Sequence, residues 1–473
     1  MNAAHALELP LPALGRALRS REVTSRSLME ESLHRLSTRG RALNAVAALM
    51  EPRAQEAAAR ADRELRSGHD RGPLHGIPYG LKDLFSARGA PTTWGTSIFE
   101  GRIIDEDSTV VRRLEAAGAV LVAKLACVQL AGGFGYYRAA ASLQGPGKTP
   151  WDVQRWSGGS SSGSGSAVAA RCVPFAIGSE TWGSILTPAT LCGVTGLRPS
   201  FGRASRAGGM ALAWSMDKVG PLAIWAEDAL LVLRAMAGPD EADPVTLAPL
   251  RALGHPPSKR RLSVAAVLPS ALARQGPEIY AAHEQFLKAL GEVADVHTVE
   301  FQLEQLPARG ISADAVAALT VEAEEASAFE GLIERGLLRA LQSTDARLQA
   351  EVDGSIRAVD YLRAQRLRAK LRASYQKFFE GYDAICTPSL GFNAVPPPRL
   401  DEDITAAFPG DDPFGAAGNL LGLPSLGLPG PLARGLPTGM QLLGPSGHEE
   451  ALTACASALQ ARSSWHLQRP PGV

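Results

Sequence analysis

Apolar positions recur at helical spacing through residues 7–66, with Leu14, Leu18, Leu28, Leu33 and Leu36 on apolar faces and Ala, Arg and Glu left for solvent, so this part is predicted to be helical. Short, nearly continuous apolar runs follow at residues 76–85, 119–124, 173–178 and 194–197. Turns and helical stretches separate them, which is the alternation of an α/β sheet. Residues 261–267 read as a further buried strand, whereas 313–350 and 357–379 read as helices forming a cover. One run, Ala167 to Ala176, is rich in Ala and Val and fits a buried helix or a buried strand equally well. Loops crowded with glycine and hydroxyl groups bound it on both sides, so it is expected to pass beneath two polar loops. A flexible linker would not contain it.

Composition adds size and excludes some classes. With 473 residues, 45% of them hydrophobic, the chain can bury an extensive core. Its 48 basic and 48 acidic residues cancel, leaving no electrostatic footprint for nucleic acid. The N-terminus lacks a basic segment followed by an apolar one, and no run of 18 apolar residues occurs, so the expectation is a cytoplasmic protein with no membrane partner. The five cysteines, Cys127, Cys172, Cys192, Cys386 and Cys455, are odd in number and set in apolar contexts, which predicts buried thiols. Neither a CxxC nor an HExxH pattern is present, and no metal or cofactor is expected.

The candidate chemistry lies in the two polar loops. Ser157, Ser160, Ser161, Ser162, Ser164 and Ser166 sit among Gly158, Gly159, Gly163 and Gly165, and a second knot holds Gly178, Ser179, Thr181, Gly183 and Ser184. A serine becomes a nucleophile only when a base removes its proton. None of the nine histidines falls in either knot, and most lie in charged, surface-like surroundings, although a partner need not be near in sequence. The other candidate is Lys82, whose neighbours Ile77, Pro78, Tyr79, Leu81, Leu84 and Phe85 are apolar. Burial there would lower its pKa, and a neutral amine accepts a proton. Met singly, a Ser/Gly cluster reads as a linker and a lysine as a surface residue; here each is set against the other and against an apolar frame.

Several motifs share one order and spacing: Gly76-Ile77-Pro78 with Lys82-Asp83; Pro150-Trp151-Asp152; Gly158-Gly159-Ser160-Ser161; Gly178 to Ser184; and Cys192 to Pro199. Asp217 to Pro221, Tyr382 to Pro388, Gly422-Leu423-Pro424 and Gly435 to Gln441 extend the pattern toward the C-terminus. Together they resemble the amidase signature family. The resemblance implies one α/β domain over residues 1–473, a single large mixed β-sheet surrounded by helices, with 1–66 as its N-terminal helical part and 245–370 as a variable helical cover. It implies a Ser-Ser-Lys triad: Lys82 as base, Ser160 as a bridging serine on a cis peptide after Gly159, and Ser184 as nucleophile. The amides from Thr181 through Trp182 and Gly183 to Ser184 would form an oxyanion hole, and Gly159, Ser161, Tyr136 and Leu186 would lie around it or against substrate.

The departures bear on substrate. Where most members carry Asp this chain has Glu180, a small residue before Gly183 is replaced by Trp182, and Leu186-Thr187 stand where an arginine commonly follows the nucleophile. The Asp/Arg pair of the common pattern therefore lacks a partner, and no guanidinium fork is offered to a substrate carboxylate. Trp182 either packs beneath the loop or walls the acyl pocket. Tyr136-Tyr137-Arg138 offer aromatic stacking, and Asp401, Glu402, Asp403, Asp411 and Asp412 make a solvated loop or an acidic pocket mouth. The expected function is hydrolysis of a neutral apolar or aromatic small-molecule amide, with a homodimer as a possible assembly. The rival is the glutamine-hydrolysing component of a tRNA-dependent amidotransferase, whose RIMLGT-like stretch is not recognisable here. Esterase or acyl-transfer activity is chemically continuous with amide hydrolysis.

Overall fold

The computed structural model describes residues 1–135, 138–254, 260–267, 276–299, 312–389, 398–402 and 413–473. Its strands, in chain order, are β1 (Val46–Leu49), β2 (Pro78–Lys82), β3 (Val120–Leu125), β4 (Lys148–Thr149), β5 (Asp152–Trp156), β6 (Phe175–Glu180), β7 (Thr195–Arg198), β8 (Lys218–Ala223), β9 (Ser263–Ala266), β10 (Asp295–Thr298), β11 (Ala384–Pro388), β12 (Ser425–Pro429) and β13 (Gly439–Leu443). Among the described residues, eleven of them form one mixed sheet in the order β1-β3-β2-β6-β8-β7-β12-β13-β11-β9-β10, and β4 and β5 pair separately. Helices cover both faces, as expected of a sheet whose strands are buried on both sides. Along β2, β3 and β6 successive side chains enter different cores: Tyr79, Leu81, Phe175 and Ile177 join one apolar cluster, Val120, Val122 and Ala176 the other. Tyr79 and Phe175 stack across the β2–β6 pair with centroids 5.3 Å apart.

The topology sets where chemistry can gather. Strands β2, β3 and β6 are parallel, so Lys82 at the end of β2 and Ser179-Glu180 at the end of β6 reach the same edge of the sheet. Strand β8 runs antiparallel to β6, pairing Lys218 with Glu180, so the residues that precede β8 arrive at that edge too.

The run Ala167–Ala176 proves to be neither one helix nor one strand. Helix Ser162–Ala169 takes only its first three residues, and β6 begins at Phe175. Pro174, lacking an N–H, precedes the strand and ends any continuation of the helix. The glycine-rich loop thus contributes the helix itself, which is wholly buried. Its glycines are required by close approach. A Cβ at Gly163 would collide with the Ala45 carbonyl oxygen, and one at Gly165 would lie 2.9 Å from Pro188.

Other differences are local. The helical N-terminal part contains β1, a four-residue strand paired antiparallel to β3 and too short to show a period of two. The predicted helix over 313–350 is three helices, Ala313–Ala328, Glu330–Glu334 and Thr344–Asp353. Gly336, at φ 62°, and Ser343, whose side chain caps Ala346, mark the last break. The following helix, Ala358–Phe378, matches its prediction within a residue. All five cysteines are buried free thiols. No helix among the described residues is long and apolar enough to cross a membrane.

Gly163→Ala is expected to destabilise the fold by about 1–3 kcal/mol, the usual range for overpacking, because the opposing atoms are backbone and cannot rotate away. Urea unfolding would check this, with a loss below that range arguing that the helix can shift.

Candidate active site

Lys82 is fully buried, and its Nζ donates to Ser160 Oγ at 2.8 Å and to Ser179 Oγ at 3.0 Å, with the Ser179 carbonyl at 3.4 Å. No carboxylate of a described residue pairs with it. Burial lowers its pKa to about 8, against the opposite pull of the Cys127 sulfur, Asp217 and Glu180. The neighbouring Asp83 looks like its counter-ion in sequence but turns the other way, pairing with Lys124 at 2.7 Å and accepting from Thr93 N–H and Oγ1 at 3.0 and 2.5 Å. Lys82 is thereby left among hydroxyls and a carbonyl.

Ser160 follows a cis peptide bond from Gly159 and is completely buried. Ser161 binds the backbone at the end of β6, donating through Oγ to the Ser179 carbonyl at 3.2 Å and accepting from Ser179 N–H at 3.3 Å. Its own N–H donates to the Ser184 carbonyl at 3.3 Å, which joins the two glycine-rich loops beside Ser160 and Ser184. Ser184 Oγ makes no hydrogen bond to a described residue, Ser160 included. Hydrogen bonds of this kind commonly tighten only when substrate binds.

The backbone from Thr181 to Ser184 has a pattern of its own. Gly183, at φ +80°, takes a conformation that side chains resist, and none of the four N–H groups bonds a described residue. The next two, Ile185 and Leu186 N–H, donate to Glu180 Oε2 at 2.8 and 2.9 Å. A run of free amides beside a hydroxyl is what binding a developing oxyanion requires. Thr181 is anchored from below by Asp217, which accepts from its Oγ1 at 2.5 Å and from Leu212 and Ala213 N–H at 2.8 and 3.1 Å.

Glu180 does have a partner, contrary to the expectation of an incomplete pair. Its Oε1 accepts from Arg198 Nη1 at 2.9 Å, both side chains being fully buried, and Arg198 Nε donates to the Leu423 carbonyl at 3.1 Å. The guanidinium comes from β7, across β8, rather than from a position just after Ser184; linear spacing does not reveal that. Burial raises the Glu180 pKa, but Arg198 and the buried Lys218 outweigh it and hold the carboxylate below its usual range. Glu180 thus ties the start of helix Leu186–Cys192 to the sheet, next to Ser184.

Trp182, for which two placements were open, is half-buried and packs against the cluster of Ala213, Met216, Phe414 and Leu421 under the helical cover. Leu186 is buried against Gly427 of β12, where a Cβ would come 3.1 Å from its Cδ2. Tyr136, Tyr137, His255, Asp403, Asp411 and Asp412 lie outside the described residues, and Asp401 and Glu402 are exposed. None of the described histidines hydrogen-bonds Ser160 or Ser184. His75 sits against Glu64, and His283 against the Ile279 carbonyl. Sequence reasoning gave no individual role to Ser179, Asp217 or Arg198. The signal available was their place inside the motifs, not any pattern of charge.

With this geometry established, residues 27–453 match the amidase family model. The chain belongs to the amidase signature family. It is 35% identical to a glutamyl-tRNA(Gln) amidotransferase subunit of Anaeromyxobacter sp. strain K, with 98% of each chain covered. The peptide amidase of Stenotrophomonas maltophilia superposes with a TM-score of 0.83 at 31% identity, covering 98% of both chains. The corresponding glutamyl-tRNA(Gln) amidotransferase subunit of Thermotoga maritima superposes with a TM-score of 0.74 at 26% identity, covering 93% of this chain and 92% of that one. These relationships make the protein an amide-hydrolysing enzyme.

Glu180→Gln is expected to cost about 3–5 kcal/mol of stability, because it strands the buried Arg198 charge. It should lower kcat more than it raises KM, since it loosens the segment after Ser184. Denaturant unfolding with steady-state kinetics checks both, and an unchanged kcat would remove Glu180 from the support of the site.

Proposed function

We propose that the enzyme hydrolyses neutral apolar or aromatic small-molecule amides through an acyl-enzyme on Ser184. Ser184 Oγ attacks the amide carbonyl while Ser160 Oγ takes its proton and passes its own to neutral Lys82. The negative oxygen is received by the free amides between Thr181 and Ser184. The proton then returns through Ser160 to the leaving nitrogen, which departs as an amine, and water cleaves the ester on Ser184. The observation that carries this reading is the Lys82–Ser160 contact of 2.8 Å around a buried amine that no described carboxylate neutralises. Such an amine is a base near neutral pH, and it reaches the serine loop that is bonded to the Ser184 loop.

Substrate class follows from what the site offers a carboxylate. Arg198, the guanidinium beside the nucleophile loop, is fully buried and engaged by Glu180, so it presents no fork to a substrate. Leu186 is apolar and buried. A carboxylate brought there would lose hydration without a partner. The relatives also favour a second reading: the Anaeromyxobacter protein, similar along nearly the whole chain, is named as part of an amidotransferase, and by that likeness this chain would hydrolyse glutamine within a complex.

Ser184→Ala should abolish turnover while leaving the fold intact, and an active-site-directed acylating or phosphonylating agent should label Ser184 by mass. In the wild type, kcat/KM should rise with pH as Lys82 loses its proton and level off above about 8, because only the neutral amine can accept. Label on another serine, or a profile that stays flat from about pH 6 upward, would contradict the reading.

Rates on malonamate and free glutamine, compared with a neutral aryl or alkyl amide of similar size, separate the two substrate readings. Faster hydrolysis of the neutral amide is expected, and faster hydrolysis of glutamine would favour the amidotransferase-like alternative.

A further inference from the structure

We infer that the enzyme carries a second small-molecule site, separate from the Ser184 pocket, for an organic monocarboxylate with an aromatic or branched apolar body. The site is a cavity of about 880 Å³ between the helical cover and the loops at the sheet edge. Neither Lys82, Ser160 nor Ser184 lines it. Its volume suits a small organic molecule.

Two guanidiniums define its polar side. Arg368 and Arg372 lie one turn apart on helix Ala358–Phe378, and both line the cavity. Arg368 is 9% exposed; its Nη1 and Nη2 each donate to Ser215, at 2.7 Å to Oγ and 2.7 Å to the carbonyl, while its buried Nε has no partner among the described residues. Arg372 is exposed and makes no hydrogen bond or ion pair with a described residue. The acidic group on the lining, Glu324, already accepts from Tyr361 OH at 2.7 Å and from Ser215 N–H at 2.8 Å. Two positive charges therefore face one occupied carboxylate, and the imbalance is one an entering anion would correct. Burial and the nearby Arg372 charge lower the Arg368 pKa, and Glu324 offsets them only in part.

The apolar side specifies the rest of the ligand. Trp214, an exposed large aromatic at 52% accessibility, stands with Phe201, Ile356 and Leu421 on the cavity wall. Aromatic and aliphatic walls opposite a guanidinium pair fit an aryl or branched alkyl group carrying one carboxylate, with bidentate geometry available at arginine. A phosphate ester or a dicarboxylate would leave charge against Trp214 and Leu421.

The site does not rest on the reading of the triad, and it is tested by calorimetry on the full chain with phenylacetate as probe and 2-phenylethanol as its uncharged counterpart. Saturable binding of phenylacetate with weak or no binding of the alcohol is expected, and it should persist in Ser184→Ala. Arg372→Gln, an exposed change that should fold and keep its amidase activity, should weaken binding about tenfold, the loss of one charge-assisted contact. Trp214→Phe should remove any ligand-dependent change in tryptophan fluorescence. No saturable binding, or binding that Arg372→Gln leaves unaltered, would overturn the proposal.

Discussion

The structure turns on a buried amine that has no counter-ion among the described residues. Lys82 and Lys124 lie at neighbouring positions of adjacent parallel strands, and both are wholly buried. Lys124 has Asp83 at 2.7 Å and forms a neutralised structural pair. Lys82 has two serine hydroxyls and a carbonyl, groups that hydrogen-bond an amine without stabilising its charge as a carboxylate would. Burial lowers the pKa of both lysines, but at Lys124 the paired Asp83 carboxylate opposes it, whereas no described carboxylate pairs with Lys82. A cation in low dielectric without a partner gives up its proton readily, which is the property a base must have at neutral pH.

The surrounding residues hold the glycine-rich loops against this amine. Helix Ser162–Ala169 can press against the chain at Ala45 and Ala126 only because Gly163 has no side chain, and Ser161 at its start bonds both β6 and Ser184. Glu180, Arg198 and Asp217 perform the same service for the second loop. Glu180 caps the two amides after Ser184, Arg198 neutralises Glu180, and Asp217 grips Thr181. What remains between these anchors is a short arc of N–H groups that bond no described residue. Each donor to a developing oxyanion is worth about 3–4 kcal/mol in the barrier, so rigid support of such an arc has a direct kinetic consequence.

Beyond the arc, the loop from Leu212 to Asp217 connects two regions. Asp217 holds Thr181, while Ser215, two residues earlier, is clasped by Arg368 and Glu324 of the helical cover. Trp182 packs into the apolar cluster beneath the same cover. The cover is therefore bonded to the site's supports rather than laid over them, and differences in its helices reach the substrate side through a few named contacts.

The chain's own order of residues determined the sheet and helix class and the burial of the 76–85 and 173–178 runs, because these depend on local apolar pattern; the resemblance of its motifs pointed to Lys82, Ser160 and Ser184, of which the structure sets Lys82 against Ser160. It was silent where strands carry both Gly and Pro: β8 and β12 lack the usual strand signature, and in the sheet each is paired on both sides. It was misleading about Ala167–Ala176, where one apolar run serves two elements, and about Glu180, whose partner lies across another strand. Only the tertiary structure decided that Asp83 turns to Lys124, that Arg198 reaches Glu180, and that the amides of Thr181 to Ser184 bond no described residue. The physical reason is the same in each case: a charge or a donor is satisfied by whatever folding brings within about 3 Å, and that distance is not a property of linear spacing.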